Sequence, residues 1–152
     1  MIKLVCVGKI KEKFVREGID EYVKRLSIFE NFSLVEVKET NSKTPMENMK
    51  IESEAILNKI NDDEFVVTLE IEGKMLDSVE LANFIETKKT YGQSKITFVI
   101  GGSNGLYESV KRRSNYALSF SRFTFPHQLM RLIFLEQLYR AETIINNQEY
   151  HK

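Results

Sequence analysis

Two short segments of this 152-residue chain, Ile2–Val7 (IKLVCV) and Ile96–Ile100 (ITFVI), are apolar at almost every position, and each stops at glycine. A strand with one wet face alternates apolar and polar residues, whereas a strand apolar throughout must be covered on both sides, as in a parallel sheet flanked by helices. Parallel neighbours need long crossovers, and the intervening sequence supplies them. Lys9–Leu26 carries Phe14, Ile19, Tyr22, Val23 and Leu26 at helical spacing among charges. Phe32–Val37 alternates as a second strand. The polar connection Lys38–Pro45 then leads into a helix over Met46–Ile60, with Ile51, Ala55, Ile56 and Ile60 on one face. Phe65–Ile71 reads as a third strand that leaves through a turn at Glu72-Gly73-Lys74. Ser78 is the expected N-cap of a helix over Val79–Lys89, closed by Tyr91-Gly92-Gln93. After Ile96–Ile100 come a loop Gly101–Gly105, a short helix Leu106–Arg113, a fifth strand Tyr116–Phe120 and a long helix Pro126–Asn146. The expectation is one α/β domain over residues 1–152, a mainly parallel sheet with helices on both faces.

Charge narrows the range of partners. The 22 Lys and Arg balance the 22 Asp and Glu, so the bulk field announces no nucleic acid, and any RNA-binding charge must be local. Lys111, Arg112, Arg113 and Arg122, with Arg131 and Arg140 beyond, form a candidate patch; a solvated helix face is the alternative. Cys6, the only cysteine, rules out an internal disulfide and a multi-cysteine metal cage, and inside LVCVG it reads as core filler. No HExxH, CxxC, GxSxG or paired-carboxylate pattern occurs, so no metal is expected. No long apolar segment occurs either, and the protein is expected to be soluble, cytoplasmic and without a membrane partner.

Several residues stand out against this background. Gly101-Gly102-Ser103-Asn104-Gly105 follows a buried strand and precedes a helix, where glycines let backbone approach a ligand. Its spacing is neither GxGxxG nor a P-loop, and a simple turn is the alternative. In Phe120-Ser121-Arg122-Phe123-Thr124-Phe125 the aromatics fit either a half-buried strand or an irregular segment whose free backbone groups read a ligand; Pro126 favours the second. His127 falls in the first turn of the last helix, where the dipole disfavours positive charge and a neutral imidazole is suited to relaying a proton. Glu136 and Arg140 have the spacing of an intrahelical ion pair. Tyr150, His151 and Lys152 at the end of the chain read either as a frayed tail or as a group that stacks on a base and touches phosphate.

LEIEGKMLDS (Leu69–Ser78), FVIGGSNGL (Phe98–Leu106), NYALSFSRFTFPHQLMRLIFLEQLYRA (Asn115–Ala141) and the closing YHK together resemble the RlmH family, the bacterial large-subunit (23S) rRNA pseudouridine N3-methyltransferases of the SPOUT class. The similarity runs from VGKIKEKF to the last residue and is weakest around Lys38–Asp62. It implies a deep C-terminal trefoil knot, which general connection rules argue against. It implies S-adenosylmethionine as methyl donor, held by Leu69, Gly101, Phe120, Ser121, Arg122, Phe123, Thr124 and Phe125. It also implies a homodimer with the last helix at the interface and the tail near the partner's cofactor. The implied substrate is a pseudouridine in the helix 69 loop of the ribosome's large-subunit rRNA, methylated on assembled ribosomes. His127, Glu136, Arg140, Tyr150 and His151 are the catalytic and RNA-holding candidates that follow.

Overall fold

In the protein's structure, a computed structural model that describes residues Met1–Lys152, five strands alternate with five helices. The strands are β1 (Ile2–Val7), β2 (Phe32–Val37), β3 (Phe65–Met75), β4 (Ile96–Ile100) and β5 (Tyr116–Ser119). The helices are α1 (Lys13–Leu26), α2 (Pro45–Leu57), α3 (Ser78–Thr90), α4 (Glu108–Arg113) and α5 (His127–Ile145). All pairings are parallel, in the order β2-β1-β4-β3-β5. The two apolar runs lie side by side, with Ile2 opposite Ile96 and Cys6 opposite Ile100, and both are flanked on each edge by further strands.

Alternation along the strands divides the core between the two faces. Ile2, Leu4, Cys6, Val67, Ile96, Phe98 and Ile100 pack with α1, α3 and α5, against Phe134, Leu135 and Leu138. Val5, Val7, Val66 and Val99 point the other way, onto Ile56 of α2 and Val110 of α4. Full burial of each large apolar side chain stabilises by ~1.5–3 kcal/mol, so both layers are needed to hold the central strands.

The elements depart from sequence expectation where tertiary hydrogen bonds intervene. α1 begins at Lys13 and buries Val15, Ile19 and Leu26, leaving Phe14 66% exposed rather than in the core. α2 buries Asn48, Glu52 and Ser53 beside Ile56 and leaves Ile51 exposed. Backbone donors and acceptors crossing that face explain the inversion. Asn48 exchanges hydrogen bonds with Lys43, Glu52 Oε2 accepts from Thr40 N at 3.0 Å, and Ser53 Oγ accepts from Tyr107 N at 3.1 Å. Asp77, not Ser78, caps α3, in a capping box with Glu80, while Ser78 Oγ donates to Gln137. β5 ends at Ser119, one residue early, so Phe120 belongs to the irregular segment after it.

The largest departure is in β3. The turn expected at Glu72-Gly73-Lys74 is a bulge within a strand that continues to Met75. Leu69 and Lys74 both pair with Leu118, so Glu70–Gly73 arches out between them. A Cβ on Gly73 would lie 2.7 Å from the Ala117 carbonyl, which only glycine permits.

Candidate active site

The carboxyl ends of β3, β4 and β5 open into a cleft of about 540 Å³. Leu69 and the bulge supply one wall and the glycine loop another; Phe120–Phe125 and the first turn of α5 complete it. The loop after β4 is pinched by a bridge between Gly102 and Gly105, whose N–H donates to Gly102 O at 3.0 Å. A Cβ on Gly101 would come 3.1 Å from Gly105 and Leu106, so glycine lets the strand end meet the loop. Gly105 has φ +84°, the left-handed region that glycine supplies without strain.

Residues 120–126 adopt neither strand nor helix. Ser121 Oγ accepts from Phe123 N at 3.0 Å, and Ser119 Oγ donates to Ser121 O at 3.1 Å, so side chains fix this backbone where no ladder does. Of the eight positions expected to hold a cofactor, Leu69, Gly101, Phe120, Ser121, Phe123, Thr124 and Phe125 line the cleft. Arg122 is exposed and lies outside that lining. Sequence reading missed Glu70 and Glu72, which the bulge carries to the cleft, and Ile100, Leu118 and Met130 on its walls. Glu70 accepts from Thr68 Oγ1 at 2.6 Å and lies 3.9 Å from Lys111.

His127 also lines the cleft, with Nε2 buried and without a hydrogen-bond partner. Burial holds its pKa below the ordinary value; nearby Glu39 opposes that shift, while Arg131 and Lys11 reinforce it. The imidazole is therefore neutral at neutral pH and has capacity to accept a proton.

Glu136, Arg140, Tyr150 and His151 gather elsewhere on the chain. Arg140 donates to Glu136 Oε1 at 2.6 and 3.0 Å, Tyr150 Oη donates to the same oxygen at 3.1 Å, and Arg140 sits 3.2 Å from His151 Nδ1. The guanidinium also stacks over the Tyr150 ring, 4.7 Å from its centroid. Burial chiefly, with Tyr22 and Glu136 beside it, raises the Tyr150 pKa, so its hydroxyl keeps its proton. Glu136 lies nine positions beyond His127 along the helix, roughly 13 Å along the axis, and none of the four lines the cleft of its own chain.

The expected basic patch is largely dissolved. Arg131 is 1% exposed and bonded to Glu36 Oε2, Val7 O and Gly8 O, so it is a structural strut and unavailable to RNA. Arg113 donates to Asn61 O and Glu64 O, and Arg140 is paired. Lys111, Arg112 and Arg122 remain exposed.

A parallel α/β sheet with a glycine loop and an irregular segment at its carboxyl edge defines a class, and comparison with known proteins agrees. The family model described as predicted SPOUT methyltransferase matches residues 1–151. The fold alone is shared with a solved structure of a probable methylase family protein from Haemophilus influenzae Rd KW20, at 17% identity, with a TM-score of 0.51 over 96% of this chain and 66% of that one. Ribosomal RNA large subunit methyltransferase H from Carboxydothermus hydrogenoformans is 51% identical, and its Bacillus pumilus counterpart 49%, each over 99% of both chains. The chain belongs to the ribosomal RNA large subunit methyltransferase H family of SPOUT methyltransferases.

No helix is long and apolar enough to cross a membrane.

Proposed function

We propose that this protein methylates N3 of a pseudouridine in the helix 69 loop of large-subunit rRNA, using S-adenosylmethionine and acting on assembled ribosomes as a cytoplasmic homodimer. The observation that carries this reading is the convergence of Leu69, Gly101, Phe120, Ser121, Phe123, Thr124 and Phe125 on one cleft of about 540 Å³, a size suited to a nucleoside-bearing cofactor. The relatives' names, which specify the large-subunit RNA, support the substrate class.

The residues fit the proposed cofactor. Free backbone groups of the irregular segment suit an adenine edge, Leu69, Ile100 and Leu118 offer apolar contact, and the Glu70 and Glu72 carboxylates suit a cationic ligand. When bound, S-adenosylmethionine would supply a sulfonium methyl group for in-line displacement. The remaining work belongs to the chain, and it is chiefly positioning. N3 of the base must shed its proton before it has a lone pair to attack with. His127 Nε2, neutral and unpartnered at the cleft, is the assigned acceptor.

Arg140, Tyr150 and His151 are read as the group that holds the RNA loop, with Lys152 adding a phosphate contact. Glu136 orients Arg140 and Tyr150 through one carboxylate oxygen. Because this group lies apart from its own chain's cleft, the homodimer reading has it complete the partner's cleft. Exposed Phe123, Phe125, Met75 and Val79, with a groove between Leu76, Leu81, Phe125 and Ile133, support an apolar contact between copies. The trefoil knot implied by the resemblance belongs to the same proposal.

Mass spectrometry of rRNA from ribosomes lacking the helix 69 methyl mark, after incubation with protein and S-adenosylmethionine, tests this reading. One added methyl on the pseudouridine is expected. No gain with demonstrated cofactor binding would redirect the search to another RNA.

A further inference from the structure

The stretch Lys9–Arg16, which runs from the β1–α1 connection into the first turn of α1, carries Lys9, Lys11, Lys13 and Arg16 against a single acid, Glu12, in a chain whose net charge is zero. It includes Phe14, which is 66% exposed although nearby Val15 and Ile19 are buried. This segment is fixed beside the cleft and does not trail from it. Gln128, next to His127, accepts from Lys11 N at 3.0 Å and donates to Lys9 O at 3.1 Å, and Arg131 donates to Gly8 O at 3.1 Å. The first turn of α5 thus holds the Lys9 and Lys11 backbone while both side chains remain exposed and free of ion pairs. Lys13 is 3.7 Å from Glu17 and Arg16 donates to Ile10 O, so these two cations are partly engaged.

Resting on the proposed rRNA substrate, we propose that Lys9, Lys11 and Phe14 form a docking surface for that RNA, the lysines on phosphates flanking the target nucleotide and the Phe14 ring under an unpaired neighbouring base. With Arg131 internally bonded, the exposed cations around His127 are Lys111 at the cleft and this cluster, whose backbone is held by the first turn of the helix that presents His127. An exposed aromatic among lysines suits single-stranded RNA, because stacking tolerates any base and the lysines follow the backbone. Glu39, which acts on His127, and Glu12 keep the surface from being uniformly positive, which favours contact at the two lysines over diffuse attraction.

The test uses ribosomes lacking the mark, with the double variant Lys9→Ala/Lys11→Ala, with Phe14→Ala and with Lys24→Ala on the far end of α1 as control. Co-sedimentation reads docking without chemistry, and initial rates separate KM from kcat. The lysine double variant is expected to raise KM for ribosomes about tenfold and to flatten the salt dependence of log kcat/KM by about 1.4, the counterion release of two phosphate contacts on a single strand. Phe14→Ala is expected to weaken docking about tenfold, within the range of one stacked base. S-adenosylmethionine affinity, kcat and melting temperature should stay at wild-type values throughout. Unchanged co-sedimentation and KM in the folded variants would overturn the surface, as would a loss of self-association in Phe14→Ala, which would assign the ring to a protein contact. Wild-type protein that docks on ribosomes without transferring methyl would instead refute the proposed reaction and leave the surface standing on its binding data.

Discussion

The buried guanidinium of Arg131 donates to Glu36 Oε2 at 2.5 Å and to the carbonyl oxygens of Val7 and Gly8 at 3.2 and 3.1 Å, tying the last helix to the ends of β1 and β2. Arg131→Ala leaves those carbonyls unpaired and opens a void, so a loss of about 3 kcal/mol or more is expected in denaturant unfolding. Glu36→Gln should cost less, because the Glu36 side chain is 31% exposed. A loss below about 1 kcal/mol for Arg131→Ala would contradict the strut.

Gly73→Ala drives a methyl group into the Ala117 backbone, whereas Gly92→Ala meets open space and only the strain of φ +95°. The Gly92 change should cost about 1 kcal/mol. Thermal unfolding should show a distinctly larger loss at Gly73, with cofactor affinity falling alongside as the bulge moves; equal losses would refute the packing.

The proposed role of His127 as proton acceptor predicts a pH-dependent methyl transfer. Its pKa lies below the ordinary imidazole value, so the neutral form predominates above that midpoint and is lost as the pH falls through it. The rate under kcat conditions should rise with pH along one proton dissociation centred below 6.5 and then level. His127→Ala should slow transfer by roughly 10²–10⁴ and remove that limb of the profile. An unchanged limb would assign the proton to another group.

Glu52 is 1% exposed, with Oε1 unpartnered and its pKa raised by burial. A raised carboxyl pKa favours the fold below the unfolded value and disfavours it as pH rises through the folded one. Glu52→Gln should therefore gain stability relative to wild type at pH 8, a gain that shrinks toward pH 4. Melting curves across that range would read it, and a constant difference would exclude the buried charge as its cause.

If the tail serves the partner's cleft, His127→Ala and Arg140→Ala protomers mixed into hybrids should restore transfer that neither variant has alone. Random exchange yields about a quarter of wild-type activity, since half the dimers carry one intact site of two. No recovery in confirmed hybrids would place both groups in one chain's site.

Much of this was legible in the chain. Unbroken apolar runs at Ile2–Val7 and Ile96–Ile100 require cover on both faces, and the helical spacing between strands supplies it, so strand order aside the α/β layering followed from periodicity. The glycine loop and the aromatic segment after Ser119 were visible as breaks in that periodicity, and both line the cleft. At Ile51 helical spacing does not predict the buried face, because the inward face of that helix is set by backbone donors of Thr40 and Tyr107, partners remote in sequence.

Sequence by itself determined which segments are strands and which are helices, because those depend on local periodicity and on glycine and proline. Tertiary structure alone decided that Glu70–Gly73 bulges rather than turns, that Arg131 is buried while Phe14 is exposed, and that the tail group stands apart from its own cleft. Each of these turns on a neighbour distant along the chain, Leu118 for the bulge and Glu36 for the arginine, and local pattern carries no record of such partners.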